Sequence, residues 1–185
     1  MPPLPLLSHV PDRNGRAPVR VLMVCMGNIC RSPTAHGVLD QLVRNAGLAG
    51  AVQVDSAGTH AEYHGGEPPD ARARRHALAR GYELGEHRAR LLERADFEVF
   101  DLVLVMDMLN ERSARKLAPA EHVHKLYRLT DFCIRFAGAT EVPDPYDGGE
   151  TGFERVLDLI EDACAGVLLA LRPRLTTGSS ARAPM

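Results

Sequence analysis

Arg20-Val-Leu-Met-Val-Cys-Met-Gly-Asn-Ile-Cys-Arg-Ser-Pro-Thr-Ala35 decides the fold of this 185-residue chain. Its first part, Arg20 to Val24, is an unbroken apolar run, the mark of a strand buried on both faces. Its last part opens a helix: Ser32 is read as the cap, Pro33 as the first helical residue, and Ala35, Val38, Leu39, Leu42 and Val43 recur at helical spacing to Ala46. Between strand and helix lies a short loop made of Met26, Gly27, Asn28, Ile29 and Cys30. Such a loop can curl until its N–H groups converge on one point, with Gly27 permitting the tight turn and the helix dipole adding positive charge. Arg31 can present a planar fork to the same point, which together makes a nest for a tetrahedral dianion. The converging dipoles also favour Cys25 as a thiolate nucleophile.

Outward from that segment, strands and helices alternate. Ala51–Asp55 reads as a second strand, Asp101–Met106 as a third and Val123–Leu129 as a fourth. Pro69–Arg80, Asp107–Leu117 and the amphipathic stretch Phe153–Leu171 read as helices. The alternation predicts an α/β fold: three layers, a four-stranded parallel sheet flanked by helices on both faces, with the phosphate-binding loop after the first strand. Ligands of such sheets sit beyond the carboxyl ends of the strands, so chemistry is expected just after Val24, Asp55 and Met106. Residues 1–18, rich in proline, read as an irregular arm, 19–172 as one catalytic domain and 173–185 as a flexible tail.

Composition bounds the rest. Hydrophobic residues make up 45% and charged residues 25%, the balance of a folded globular chain. A formal net charge of −2 supplies no overall positive field for nucleic acid. The arginines between Arg72 and Arg94 are interleaved with Glu83, Glu86 and Glu93, which reads as a solvated face, although Arg88 and Arg90 could meet an acidic protein. No apolar run approaches the ~20 residues of a membrane helix. The four cysteines form no disulfide framework, and Cys133 and Cys164 read as core residues; a reduced, cytoplasmic protein is expected.

A thiolate beneath a bound phosphate attacks phosphorus in line, and the departing oxygen then needs a proton. Asp144, between Pro143 and Pro145 in a stiff segment, is the candidate donor and afterwards the base for a hydrolytic water. The Ser32 hydroxyl can stabilise the thiolate as it leaves. The nest and Arg31 supply the positive charge, so neither metal nor cofactor is called for.

Taken together, Cys25-x5-Arg31-Ser32-Pro33, Asp55-Ser-Ala-Gly-Thr59, Met106-Asp107 and Asp144-Pro-Tyr146 resemble the low-molecular-weight protein tyrosine phosphatase family, bacterial type, from about Val19 to Leu171. The resemblance implies hydrolysis of phosphotyrosine in proteins, with Cys25 as nucleophile, Arg31 as clamp and Asp144 as general acid. It further implies that Asn28 and Ser56 shape the loop, that Tyr146 lines the substrate slot, and that Cys30 can form a reversible disulfide with Cys25. A tyrosine kinase is a common partner of bacterial relatives.

Two relatives of the same fold offer alternatives. Arsenate reductases pass a disulfide to further cysteines after the second strand, and residues 57–132 here contain none. Arginine phosphatases typically place threonine where this chain has Ile29. The chain departs from the family in Asp147, where an aromatic is frequent, and in His36, where an acid is common. A histidine that braces the loop in animal members aligns, loosely, with Arg80.

Overall fold

A computed structural model describes residues 3–12, 17–146 and 149–175. Strand β1 (Val19–Cys25) leads into α1 (Arg31–Asn45) and returns as β2 (Val52–Gly58). Helices α2 (Ala71–Ala79) and α3 (Asp96–Val99) precede β3 (Leu102–Val105). Then follow α4 (Met108–Leu117), β4 (Leu126–Arg128) and the long α5 (Glu150–Leu175). All pairings are parallel, in the order β2-β1-β3-β4, which puts the predicted apolar run in the middle of the sheet. The expected architecture is therefore the observed one.

Successive strand residues point to opposite faces, and the two faces bury different neighbours. Val19, Val21 and Met23 face Leu39 of α1 and Ile160 and Val167 of α5. Leu22 and Val24 face Phe97, Phe100 and Ala114. Cys133 and Cys164 are buried within the first of these cores, and burial, reinforced by Asp162, pushes the Cys133 thiol up to about 12.

Several boundaries differ from the sequence reading, each for a physical reason. β2 continues past Asp55 to Gly58 because β1 extends to Cys25 and offers partners that far. β4 covers only Leu126–Arg128, since its neighbour β3 has just four residues to pair with. The stretch Ala120–Lys125 ahead of it is a 3-10 turn instead, anchored where Lys125 Nζ donates to the carbonyls of Phe97 and Phe100 at 2.7 and 3.0 Å. α5 is longer at both ends and keeps Pro173 within its last turn, so residues 173–175 are helical rather than part of a tail. Residues 176–185 of that tail lie outside the described residues.

The described part of the arm has no regular secondary structure but is not loose: Leu7 and Val10 are buried against the α1/α5 face of the core. His9 stacks on Tyr127 at 5.9 Å, and Asp12 pairs with Arg174 at 2.8 Å.

One contact tests how tightly α5 is seated. A Cβ on Gly166 would fall 1.9 Å from the carbonyl oxygen of Phe132, in the 3-10 turn Leu129–Phe132. Both sides are backbone in regular elements and cannot yield cheaply. Gly166→Ala should lower stability by roughly 1–3 kcal/mol or more, read as an earlier urea midpoint at unchanged slope.

Candidate active site

The loop is built on Asn28, not on Gly27. Asn28 alone among the described non-glycine residues takes a left-handed backbone, at φ 57°, whereas Gly27 is not in that region. Asparagine tolerates the conformation because its short amide can bond locally. Here the amide is fully used: Nδ2 donates to Ser32 Oγ at 2.9 Å and Ser56 Oγ at 3.1 Å, and Oδ1 accepts the Arg90 N–H at 2.9 Å. The backbone of β2 presses on the loop as well. A Cβ on Gly58 would lie 2.5 Å from the Met26 carbonyl oxygen, so glycine is required for this approach.

Cys25, the last residue of β1, is buried beneath this loop. Its Sγ lies 3.0 Å from Ser32 Oγ and accepts the Asn28 N–H at 3.3 Å. Ser32 is not the helix cap that the Ser-Pro pair suggested. α1 begins at Arg31 with Cys30 in the capping position and no side-chain cap, and the Ser32 hydroxyl is turned inward to Cys25, Asn28 and the Ala57 carbonyl. Cys30 is also buried, and desolvation, with Asp70 and Cys25 adding to it, pushes its thiol upward.

Arg31 is only 2% exposed and is held from three sides. Nη1 donates to Asp107 at 2.6 Å and to the Val142 carbonyl at 3.1 Å, while Nη2 donates to Asp144 at 2.6 Å. Burial alone would lower its pKa, but Cys25, Asp144 and Asp107 outweigh this and raise it. Asp107 also caps α4 by accepting the Asn110 N–H at 2.7 Å. Asp55, which the sequence placed near the site, instead pairs with Arg90 at 2.9 Å. That pair, with Arg90 to Asp96 at 3.0 Å, makes Arg90 a structural link rather than an exposed cation.

A pocket of about 370 Å³ opens above the loop, between Ile29, Tyr146, Cys30 and Asp144. Tyr146 is steadied by Arg72, whose guanidinium lies 5.4 Å from its ring centre and whose Nη1 donates to its carbonyl at 3.0 Å. The structure thus brings Cys25, Arg31, Asp144 and Tyr146 around one cavity. Asp147 lies outside the described residues.

The sequence reading missed part of this wall. His60, Tyr63 and His64, from the segment after β2, line the same pocket. The signal available was position: strand ends mark the site, and that segment follows one of them. It also missed His87. The aligned Arg80 is remote from the loop and reaches α5, pairing with Glu154, Asp158 and Glu161. The brace is His87, with Nε2 3.1 Å from the Asn28 carbonyl and Nδ1 3.3 Å from Ser56 Oγ. His36 meets its ring edge-on at 6.3 Å.

An α/β sheet whose central strand ends in a cysteine, joined by one curled loop to a helix that opens with an arginine, defines a phosphate-loop protein. A sequence model of the low molecular weight phosphotyrosine protein phosphatases matches residues 20–177, and the chain belongs to that family. A low molecular weight protein-tyrosine-phosphatase of Streptomyces coelicolor is 42% identical over 84% of this chain and 95% of its own. The crystal structure of a protein tyrosine phosphatase from Entamoeba histolytica, with Hepes in its active site, superposes with a TM-score of 0.80. It is 40% identical and covers 83% of this chain and 97% of its own. YfkJ of Bacillus subtilis gives a TM-score of 0.81 at 32% identity, over 88% of this chain and 99% of its own.

His36 and His87 both have lowered pKa values, chiefly through burial, opposed in each case by Asp55. Protonating them therefore costs more in the folded chain than in the unfolded one. Stability present above the ordinary value of 6.5 is lost as pH falls below it. Melting temperature should drop between about pH 7 and pH 5, and His36→Gln should flatten that drop.

Proposed function

We propose that this chain hydrolyses phosphotyrosine in proteins through a cysteinyl-phosphate intermediate, with Cys25 as nucleophile, Arg31 as phosphate clamp and Asp144 as general acid and base. Family membership makes the chain a protein-tyrosine-phosphatase, a phosphoric monoester hydrolase. The observation that carries the mechanism is the convergence of Cys25 Sγ, the buried Arg31 fork and the Asp144 carboxylate on one pocket.

The phosphoryl group sits in the curled loop, its oxygens taking the converging N–H groups and Arg31. An incoming dianion competes with Asp144 for Nη2 of Arg31 and frees the carboxyl group to turn to the leaving oxygen. Cys25 Sγ attacks phosphorus, the P–O bond to tyrosine breaks, and Asp144 delivers its proton to that oxygen. Asp144, now a carboxylate, takes a proton from water as it attacks phosphorus, and the P–S bond breaks. The Ser32 hydroxyl and the Asn28 N–H, both within reach of Sγ, stabilise the departing thiolate. Because the first step needs Cys25 ionised and Asp144 protonated, its rate falls as Asp144 loses its proton.

Tyr146, Tyr63 and Ile29 give the slot aromatic and aliphatic walls suited to an aryl group. A bacterial tyrosine kinase is a reasonable phosphoprotein substrate by analogy alone. For a redox reading, Cys133 and Cys164 are poor relay partners, because both are buried in the core. Residence in the cytoplasm is supported by the cysteine usage, and no helix among the described residues is long and apolar enough to cross a membrane.

Hydrolysis of p-nitrophenyl phosphate in EDTA tests the mechanism. Cys25→Ser should abolish turnover, and Asp144→Asn should lower kcat by about 10²–10⁴. An Asp144→Asn enzyme of wild-type rate would remove Asp144 from the mechanism, and an active Cys25→Ser enzyme would remove the thiophosphate.

A further inference from the structure

Beside the slot lies a second pocket of about 400 Å³, walled on its far side by α4. The two cavities share Met26, Arg31, His60 and Asp144, so a peptide whose phosphotyrosine fills one passes the mouth of the other. We propose that this second pocket is an anion subsite, formed by Arg112 and Lys116, that reads an acidic group flanking the phosphotyrosine. The proposal rests on the phosphatase reading above and names the substrate class within it.

The charges are unevenly disposed. Arg112 and Lys116 are four residues apart, hence on one face of α4, and both are exposed and line the pocket. Among the described residues neither has a hydrogen-bond or ion-pair partner. Their neighbours differ: Arg115 pairs with Glu111 at 2.7 Å and Arg128 reaches the same carboxylate at 3.5 Å, which occupies the one acid of the helix.

The pocket also contains two carboxylates, which could have cancelled the positive charge. Neither does so once phosphotyrosine is bound. Asp107 stays paired with Arg31 at 2.6 Å and accepts the Asn110 N–H, while Asp144, which the proposed mechanism frees from Arg31, carries the proton it must donate and therefore no charge. The charge facing the open cavity is therefore that of Arg112 and Lys116. A concavity of one sign attracts the opposite one, and the 67% exposed Leu109 beside it offers apolar surface to the peptide chain.

The anion is a carboxylate or a second phosphate on the same polypeptide; both bind such a pair of cations. Solvent-exposed charge pairs are individually weak, so the effect is a several-fold preference that salt erodes, not an absolute requirement.

Phosphotyrosine peptides matched except for their flanks provide the test: glutamine on both sides, glutamate on the N-terminal side, glutamate on the C-terminal side, and phosphoserine at the same positions. In at least one register the acidic peptide should exceed the glutamine peptide by about five- to tenfold in kcat/KM, mostly through KM. The ratio should fall towards one in roughly 0.5 M salt. Arg112→Glu combined with Lys116→Glu should erase or invert it, and because the ratio is taken within each protein, any general loss of activity cancels. Glutamate and phosphoserine arms separate the two sources of the anion. Wild-type turnover of p-nitrophenyl phosphate stands apart: its absence would overturn the phosphatase mechanism. Turnover with ratios near one in every register, or a preference that survives charge reversal, would overturn the subsite alone.

Discussion

A guanidinium with 2% of its surface exposed must be compensated by its surroundings, and Arg31 draws two separate segments around itself to achieve this. Asp107 comes from the turn between β3 and α4, and the Val142 carbonyl and Asp144 from the proline-bounded connection before α5. Because Arg31 is the first residue of α1, these contacts also fix where the helix begins and hence where the loop after β1 must end. The same side chain thus has a structural part in the fold and, in the proposed mechanism, serves as counter-charge for the phosphate. That double use explains how an arginine can be kept buried and yet available.

The loop has a complementary dependence on Asn28. Its left-handed backbone turns its own N–H towards Cys25 Sγ, and its amide ties together α1 through Ser32, β2 through Ser56 and the segment before α3 through Arg90. His87 seals the arrangement from outside by contacting both the Asn28 carbonyl and Ser56. Neither the cysteine nor the arginine could be placed this way by local propensity alone. The nest is a tertiary object.

That distinction accounts for what was legible beforehand. The central strand, the loop and the candidate trio could be read because apolar runs, glycine and proline punctuation and residue spacing are local signals. Asp144 stood out through its flanking prolines. Ser32 misled because Ser-Pro is a strong helix-start signal, and nothing local says that Cys25 and Asn28 would compete for its hydroxyl. Gly27 misled in the same way: glycine is the usual residue for a left-handed turn, yet the anchoring amide belongs to Asn28. His87 could not be found by alignment on Arg80, since its contact with Asn28 spans 59 residues and depends on how the segment after α2 folds back. The fourth strand was overextended because its length is set by its partner, not by its own composition.

The contact between Asp12 and Arg174 bridges 162 positions of sequence. It closes the described chain into something near a ring, with the proline-rich segment and the last turn of α5 as the two halves of a clasp. Loop-closure entropy rises only slowly with the length enclosed, so so large a ring is costly to close once but adds little for each further residue. Its consequence is shared fraying. If α5 unwinds from its end, Arg174 is lost to Asp12, and the arm that buries Leu7 and Val10 over the α1/α5 face loses an anchor at the same moment. Opening at either end thereby becomes one local event rather than two, and it reaches the sheet at Tyr127 of β4, on which His9 stacks.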